Sequence, residues 1–310
     1  INIIGASYGT RAVLDYMRQF PKAVRRAVID GVAPPDMVLP ASFSTDNQAA
    51  LDGLIDACAS DPACATRYPT LRADWQALLA GLPREVSVAH PVTGQVERIN
   101  VHRNTVLNMM RGPLYAPVLA SVLPLAVTEA AGGRFEPLMG LSTALGGGRG
   151  LQMAEGMHFS VVCAEDLPRL AQSADKPGAD FGDMATGMYR AVCDGWPRGA
   201  VPAAFYTPPA APVATLVLSG GADPVTPPRH GERVAKALGA KARHVVVAQA
   251  GHGVMAIGCM RDALFRFVDA ASDEDALKVE ADCAKAIPRP PAFVPVRAPA
   301  AAASAAAAKP

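Results

Sequence analysis

The sequence predicts an α/β fold in which a mostly parallel sheet carries a long, mainly helical insertion. Three short apolar segments with the character of buried strands each lead into a loop that holds a polar residue. They lie at residues 1–4, 214–219 and 244–248, and apolar periods of helical spacing occupy much of the chain between them. In open α/β sheets, binding groups collect beyond the carboxyl ends of the strands, so we expect a site where these loops meet.

The first strand passes through a tight turn into a helix, with Ser7 at the tip of the turn. The segment from Gly5 to Gly9 has the spacing G-x-S-x-G, in which the serine adopts a strained backbone conformation and small neighbours let strand and helix pass closely. Apolar residues then recur at helical spacing up to Phe20, and Pro21 is expected to end the helix. Any α/β protein can contain such a turn, so a role for the serine requires partners downstream.

Two later loops supply candidate partners. Asp223 follows the strand at 214–219, and His252 follows the strand at 244–248. Serine, aspartate and histidine in this chain order are typical of α/β-hydrolases, whereas chymotrypsin-like and subtilisin-like enzymes use other orders. Taken singly, Asp223 could be an ordinary turn residue and His252 a loop histidine without a partner. The other five histidines lack this strand-then-glycine setting, and we assign them no chemistry.

Four segments and a cysteine pair carry a family resemblance: GASYGT, FPKAVRRAVIDGVAPPD, LVLSGGADPVTPP, VVVAQAGHGV, and Cys259 with Cys283. They are similar to the proline iminopeptidase and tripeptidyl aminopeptidase family of α/β-hydrolases, especially secreted bacterial members with a tripeptidyl-aminopeptidase-like C-terminal region. The resemblance covers nearly all of residues 1 to 297. It implies an α/β-hydrolase fold with an inserted helical cap, and an aminopeptidase that releases N-terminal residues or short peptides.

The loop order and the resemblance together predict a serine hydrolase with a catalytic triad. Ser7 would attack a carbonyl, and His252 would take the proton from its hydroxyl. Asp223 would orient and stabilise the imidazolium, and water would clear the acyl-enzyme. We expect the backbone N–H of Tyr8 to hold the oxyanion. The family's HGGPG-like oxyanion loop precedes the elbow and is absent from this sequence, so we expect an N-terminally truncated chain.

An aminopeptidase must recognise a free amino group, and the family uses acidic residues of the cap for this purpose. The segment HFSVVCAED at residues 158–166 is similar to the family's return from cap to core. Glu165 is therefore the first candidate for binding the substrate amine, and Asp166 is the second. The sequence is equally consistent with a solvated loop acid or an ion-pair member at residue 165.

The positions of the catalytic loops predict how the chain is divided. We expect residues 1–33 and 209–296 to form the hydrolase core, and residues 34–208 to form a cap inserted between the two halves. Within the insertion, residues 86–88 and 96–99 flank a turn and could form a small hairpin. The Ala/Pro-rich tail at 297–310 is expected to be disordered, although alanine also favours a frayed helix.

The six cysteines offer a disulfide framework. Six cysteines can pair in fifteen ways, so spacing alone leaves the pairing open. The resemblance favours sequential pairs, which are Cys58 with Cys64, Cys163 with Cys193, and Cys259 with Cys283. Such a framework predicts a secreted or periplasmic bacterial protein, with a signal peptide in the missing N-terminal part. Six buried, reduced thiols in a cytoplasmic enzyme are the alternative.

Composition and charge narrow the class of partner. The residues are 50% hydrophobic and 18% charged with a net charge of +1, which excludes a largely disordered chain and a basic nucleic-acid footprint. The uncharged run from Gly112 to Thr128 contains three prolines, so we expect helices of the cap there and no membrane span. No ligand spacing for a metal is present, and no cofactor is expected. The expected partner is a peptide or a small ester or amide substrate.

Two alternative functions remain open at the level of sequence. A carboxylesterase or lipase would use the same triad on acyl esters instead of peptides. A catalytically incomplete fragment without the oxyanion loop would keep the triad residues and lack activity.

Overall fold

The computed structural model describes residues 1–90, 92–146 and 153–296, and for residues 145 and 146 it describes the backbone alone. The predicted tail at 297–310 therefore lies outside the described residues. The described chain forms these strands: β1 Asn2–Ala6, β2 Arg26–Asp30, β3 Arg84–Ala89, β4 Val96–Val101, β5 Thr215–Gly220 and β6 Ala242–Val247. The strands expected at residues 1–4, 214–219 and 244–248 are confirmed within one or two residues at each end.

The main sheet has four parallel strands in the order β1, β2, β5, β6. In its register Ala6 pairs with Asp30, Asp30 with Leu218, and Gly220 with Val247. The four strands therefore end at one common edge. The loops that follow β1, β5 and β6 leave the sheet at that edge, which brings distant parts of the chain together.

Helices occupy most of the remaining described chain. They are α1 Tyr8–Gln19, α2 Leu39–Ser60, α3 Pro62–Arg67, α4 Leu71–Ala80, α5 Arg103–Leu114, α6 Pro117–Ala120, α7 Leu123–Ala131, α8 Glu136–Gly146, α9 Glu155–Val161, α10 Met184–Cys193, α11 Pro228–Leu238, α12 Met260–Asp269 and α13 Asp273–Leu277. A single π-helical turn spans Val162–Asp166, and 3₁₀ turns span Leu167–Gln172, Ala203–Tyr206, Gly239–Lys241 and Asp282–Ala286. The first helix ends one residue earlier than its apolar spacing predicts, because Pro21 follows and leaves Phe20 beyond the helix with its ring half exposed.

Helices cover both faces of the sheet. Every residue of β2 and β5 is buried, as expected of central strands in a parallel sheet. One face packs Val13, Leu14 and Met17 of α1 with Val234 of α11. The other face packs the sheet against α12, with Phe267 fully buried. The burial of these apolar side chains is the main force that holds the sheet between its helices.

Residues between β2 and β5 have a separate hydrophobic core. It is centred on large buried side chains that include Leu51, Trp75, Met110, Leu123 and Phe135. The predicted hairpin is confirmed, because β3 and β4 pair in antiparallel register. The uncharged run from residue 112 to 128 is divided among α5, α6 and α7. No helix in the described part of the chain combines the length and apolar character that crossing a membrane requires.

All six cysteines form disulfides, in sequential pairs. Cys58 bonds Cys64 across the junction of α2 and α3, and Cys163 of the π-helical turn bonds Cys193 at the end of α10. Cys259 bonds Cys283 and connects the start of α12 with the following 3₁₀ turn. The second bond holds in place the turn that contains residues 165 and 166.

Candidate active site

Ser7 stands at the tip of the turn between β1 and α1. It is the only non-glycine residue in the described chain with a positive φ, at 54° with ψ of −126°. A left-handed conformation of this kind costs on the order of 1–3 kcal/mol and persists only where the surroundings hold it. Here the Ser7 N–H donates to the Asp30 carbonyl at 2.9 Å, and the Ser7 carbonyl accepts from the Thr10 hydroxyl at 2.6 Å. The serine side chain makes no capping hydrogen bond to α1.

The two glycines of the elbow differ in what they make possible. A Cβ placed on Gly5 would lie 2.4 Å from the carbonyl oxygen of Gly9 and 2.7 Å from Cγ2 of Val13. A Cβ placed on Gly9 would meet no described atom within 4 Å apart from its chain neighbours and the backbone of its own helix. The close approach of strand and helix therefore depends on the missing side chain of Gly5, while Gly9 contributes the backbone that lies against it.

Asp223 follows β5, and both of its carboxylate oxygens accept hydrogen bonds. Its Oδ1 accepts the N–H groups of Val225 and Thr226, each at 2.9 Å, so the loop folds around the carboxylate. Its Oδ2 accepts from the Thr226 hydroxyl at 2.7 Å and from Nδ1 of His252 at 2.8 Å. Burial opposes ionisation of Asp223, but the hydrogen bond and charge of His252 and the two N–H groups outweigh it and lower the pKa of this carboxyl group.

His252 follows β6 and turns its Nδ1 toward the aspartate. The Thr226 hydroxyl also lies 3.1 Å from this nitrogen, and the ring of Tyr115 packs edge-on with 5.2 Å between ring centres. Burial disfavours the imidazolium, but the hydrogen bond and charge of Asp223, together with the charge of Asp30, outweigh it and raise the pKa of His252. Because Nδ1 is engaged by the carboxylate, Nε2 is the nitrogen available for proton transfer.

Asp30 at the end of β2 connects the elbow with the histidine loop. Its carbonyl holds the N–H of Ser7, while its Oδ2 accepts the N–H groups of Val254 and Met255 at 2.7 and 2.8 Å. Its Oδ1 is buried and has no hydrogen-bond partner in the described part of the chain. Burial outweighs the stabilising N–H groups and raises the pKa of Asp30. One aspartate thus positions both the candidate nucleophile and the segment after His252.

A cavity of about 280 Å³ opens beside Ser7. Its polar lining consists of Ser7, Tyr8, Arg11, Arg111, Tyr115, His158, Asp166, Tyr189 and Thr226. Its apolar wall includes Met37, Leu39, Phe43, Met153, Met157, Val161 and Val162. His252 adjoins this cavity through its contacts with Tyr115 and Thr226. The cavity therefore joins the elbow, the surroundings of the histidine, and the residues between β2 and β5.

The two acidic candidates at residues 165 and 166 lie against one arginine. Arg11 Nη1 donates to Glu165 Oε2 at 2.8 Å and to Asp166 Oδ1 at 2.9 Å, and its other nitrogens donate to backbone carbonyls. Glu165 Oε1 also accepts from the Tyr8 hydroxyl at 2.9 Å. Asp166 lines the cavity and is buried, and burial raises its pKa to about 6 despite the charge of Arg11. Two carboxylates against one guanidinium leave an excess of negative charge at high pH.

The cavity lining also contains aromatic and basic side chains, among them His158, Tyr189 and Arg111. Nε2 of His158 lies 2.8 Å from the Tyr189 hydroxyl, and Phe159 packs edge-on against His158. Burial, followed by the charge of Arg111, lowers the pKa of His158, so its ring is neutral at pH 7. The described residues hold no group of three or more His, Cys, Asp or Glu that could bind a metal ion.

The structure brings together most of the residues singled out by sequence and adds others. Ser7, Asp223 and His252 lie in loops at the same sheet edge, and Tyr8 is the first residue of α1 beside them. Asp30 was not singled out, although a charged residue at the end of an apolar strand is a recognisable signal. The role of Arg11 has no local sequence signal, because its partners Glu165 and Asp166 lie more than 150 residues away in the chain.

A strand-to-helix elbow on a parallel sheet, with acid and histidine loops at the same edge, defines the class: this is the α/β-hydrolase fold. A family model described as TAP-like protein matches residues 179–279, a range that includes Asp223 and His252. This match supports an α/β-hydrolase family of tripeptidyl-aminopeptidase type and indicates a hydrolase. A search of the curated proteins found no match.

Proposed function

We propose that the protein is a serine aminopeptidase that cleaves peptides through an acyl-enzyme. The observation that carries the proposal is the 2.8 Å hydrogen bond between Asp223 and His252 at the sheet edge where the elbow presents Ser7. Two further features support it. The backbone of Ser7 has the positive φ of a nucleophile elbow, and the serine lines a cavity next to the contacts of His252.

In the proposed mechanism His252 Nε2 takes the proton from the Ser7 hydroxyl as its oxygen attacks the scissile carbonyl. Asp223 holds the ring through Nδ1 and stabilises the imidazolium that forms. The N–H of Tyr8 donates to the oxyanion. His252 then protonates the leaving amine, and a water activated by the same ring hydrolyses the ester to Ser7. Because only the neutral ring acts as base, activity rises with pH through the raised pKa of His252.

We assign recognition of the substrate amine to the acidic pair. Asp166 lines the same cavity as Ser7, and Glu165 stands behind it with its two oxygens engaged by Tyr8 and Arg11. The excess negative charge of the pair over Arg11 favours an ammonium group. Asp166 is therefore the contact with the amine, and Glu165 orients Tyr8 at the cavity wall. Since the pKa of Asp166 is about 6, binding of the amine should strengthen as pH rises through that value.

Labelling and hydrolysis together test the nucleophile and the reaction. A fluorophosphonate should label the protein at Ser7, and Ser7→Ala should abolish both labelling and hydrolysis of alanyl p-nitroanilide. Ser42→Ala is the matched control, since Ser42 is fully buried at the start of α2 and donates to backbone carbonyls there. Labelling that persists in Ser7→Ala would overturn the assignment of the nucleophile.

The amine site is tested with substrates that differ only in the amino group. Asp166→Asn should raise KM for free-amine peptides by roughly tenfold or more, the typical worth of a hydrogen bond to a charged group, and leave N-acetylated esters unaffected. Glu165→Gln should have a smaller effect in the same direction. Equal effects on free and acetylated substrates would contradict amine recognition by this pair.

A carboxylesterase is the second candidate, and the methionine-rich apolar wall of the cavity favours it. Such a wall suits an acyl chain as well as a peptide side chain. The discriminating comparison is kcat/KM for short p-nitrophenyl esters against free-amine p-nitroanilides. Ser7-dependent hydrolysis of the esters alone would assign the protein to the esterases.

We further propose that residues 34–208 act as a cap over a hydrolase core made of residues 1–33 and 209–296. The separate hydrophobic core between β2 and β5, and the contribution of Phe43, Arg111 and Tyr189 to the cavity, support this division. The three disulfides support secretion or a periplasmic location, because such bonds persist in oxidising compartments.

A further inference from the structure

Arg111 on α5 lines the cavity and has no anionic partner among the described residues. Its guanidinium carbon lies 4.3 Å from the centre of the Phe43 ring and 5.9 Å from that of Tyr115, and Nη2 donates weakly to the Tyr115 hydroxyl at 3.4 Å. Its Nε is buried and has no hydrogen-bond partner, and no carboxylate within the described ranges forms an ion pair with it. The aromatic rings hold the guanidinium in place without neutralising its charge.

Arg111 lies at the boundary between two cavities. It lines the 280 Å³ cavity that contains Ser7 and also an adjoining cavity of about 580 Å³. Phe43 and Tyr189 line both as well, so these residues form the boundary. Asn104 and Asn108 line the second cavity from the same face of α5, because they precede Arg111 by seven and three residues. A substrate that extends past the boundary meets a cation and two amides.

The cavity is consequently bipolar. Its lining contains Asp166, which shares a single arginine with Glu165, and it also contains Arg111, which forms no ion pair with a carboxylate of the described residues. Leaving a partly buried guanidinium without an anion costs free energy, since its N–H groups lose water without gaining a strong acceptor. A carboxylate supplies that acceptor, because its two oxygens match the planar fork of arginine.

We propose that Arg111 is a specificity-determining residue that binds a carboxylate of the substrate, so that the preferred substrates are short peptides carrying both a free amine and a carboxylate. This inference rests on the proposed function, in which Ser7 acts on amine-bearing substrates. The carboxylate can come from the C-terminus of a short peptide or from an acidic side chain. Both sources present the same chemistry to the guanidinium.

Two matched pairs of substrates separate the sources. Trialanine against trialanine amide tests the C-terminal carboxylate, and glutamyl p-nitroanilide against glutaminyl p-nitroanilide tests an acidic side chain. In at least one pair, kcat/KM of the wild-type protein should be roughly ten- to a hundredfold higher for the substrate with the carboxylate than for its neutral counterpart. That ratio is the typical contribution of a charge-assisted hydrogen bond. In Arg111→Gln this ratio should fall to about one. Arg111→Lys should retain part of the preference, because lysine keeps the positive charge but lacks the planar pair of N–H donors that matches a carboxylate.

Arg169 provides the matched control. Its guanidinium carbon lies 4.2 Å from the centre of the Tyr206 ring, and its buried Nη1 has no hydrogen-bond partner in the part of the chain that the structure describes. Arg169 does not line the cavity. Arg169→Gln removes the same kind of stacked cation and should leave the carboxylate preference unchanged. Thermal unfolding of each variant reports whether it is folded.

Carboxylate binding by Arg111 can be tested separately from peptide hydrolysis by Ser7. The same pairs are also titrated into Ser7→Ala protein by calorimetry, which measures binding whether or not peptides are hydrolysed. A tighter complex with the carboxylate form that Arg111→Gln loses supports the inference even if hydrolysis is absent. Equal affinity and equal kcat/KM within both pairs, or a preference that survives in Arg111→Gln, would overturn it.

Discussion

Replacing Gly5 by alanine should force the nucleophile strand away from its helix. The new Cβ would lie 2.4 Å from the Gly9 carbonyl oxygen and 2.6 Å from the Gly9 carbonyl carbon, well inside the 3.0 Å that Cβ atoms keep from other heavy atoms. The obstacle is helix backbone and cannot turn aside as a flexible side chain could. Overpacking of an interior costs about 1–3 kcal/mol, and with backbone as the obstacle we expect about 3 kcal/mol or more.

Gly9→Ala is the control, because it adds the same methyl group four residues away. Apart from its chain neighbours and the backbone of α1 itself, no described atom lies within 4 Å of a Cβ at that position, so removal of this helical glycine should stabilise the protein by about 0.5–1 kcal/mol. The two variants should therefore differ in free energy of unfolding by about 4 kcal/mol, in opposite directions from wild type. Gly5→Ala should also slow fluorophosphonate labelling, since Ser7 would lose its position at the tip.

Urea unfolding followed by far-UV circular dichroism measures the difference, and the labelling rate is measured on the same samples without urea. The expected result is a lower midpoint for Gly5→Ala and an equal or higher midpoint for Gly9→Ala, with similar slopes. A Gly5→Ala protein as stable as wild type, or equal losses in both variants, would refute the close approach of β1 and α1 as the reason for this glycine.

Three further predictions concern charge and disulfides. Asp30→Asn keeps an oxygen for the two N–H groups but removes a negative charge that raises the pKa of His252. The acid limb of the pH profile of kcat/KM reports the raised pKa of His252 and should lie above pH 6.5 in the wild-type protein. In Asp30→Asn this limb should move to lower pH while the protein stays folded, and an unmoved limb would contradict the prediction. Serine substitution of the Cys163–Cys193 pair, with 30 residues of separation, should cost about 3.6 kcal/mol in urea unfolding, against about 2.2 for the 6-residue Cys58–Cys64 loop. A reversed order would show that native-state strain outweighs loop length. Titration of the denatured, unreduced protein should find no free thiol, and six would exclude the disulfides.

Local pattern predicted the elements of the fold well. The strands followed from short apolar runs bounded by glycine and proline, and the hairpin from two apolar segments around a turn. Helices α2, α4 and α5 lie between the first and the later strands, where apolar periods predicted helices. These successes share a cause: the period of side chains along a helix or strand is a property of neighbouring residues, so it is visible in the sequence.

The charged part of the candidate site could not be predicted in this way. Sequence similarity suggested Glu165 as the amine contact, whereas Asp166 is the one that lines the cavity and Glu165 accepts hydrogen bonds from Tyr8 and Arg11. Those partners lie more than 150 residues earlier in the chain. Whether an acid is paired, buried or free depends on where α1 places them, which no local pattern encodes.

The sequence by itself determined the parallel α/β architecture, the elbow at Ser7 and the order of the candidate acid and histidine. Those features depend on apolar periodicity and on glycine at a turn, and both act between residues close in the chain. Tertiary structure decided that Asp223 accepts a hydrogen bond from His252 and that Asp30 connects the elbow with the histidine loop. It also decided that the buried Nε of Arg111 has no hydrogen-bond partner among the described residues. Hydrogen bonds and charges act over a few ångströms of space, and only the folded chain sets those distances.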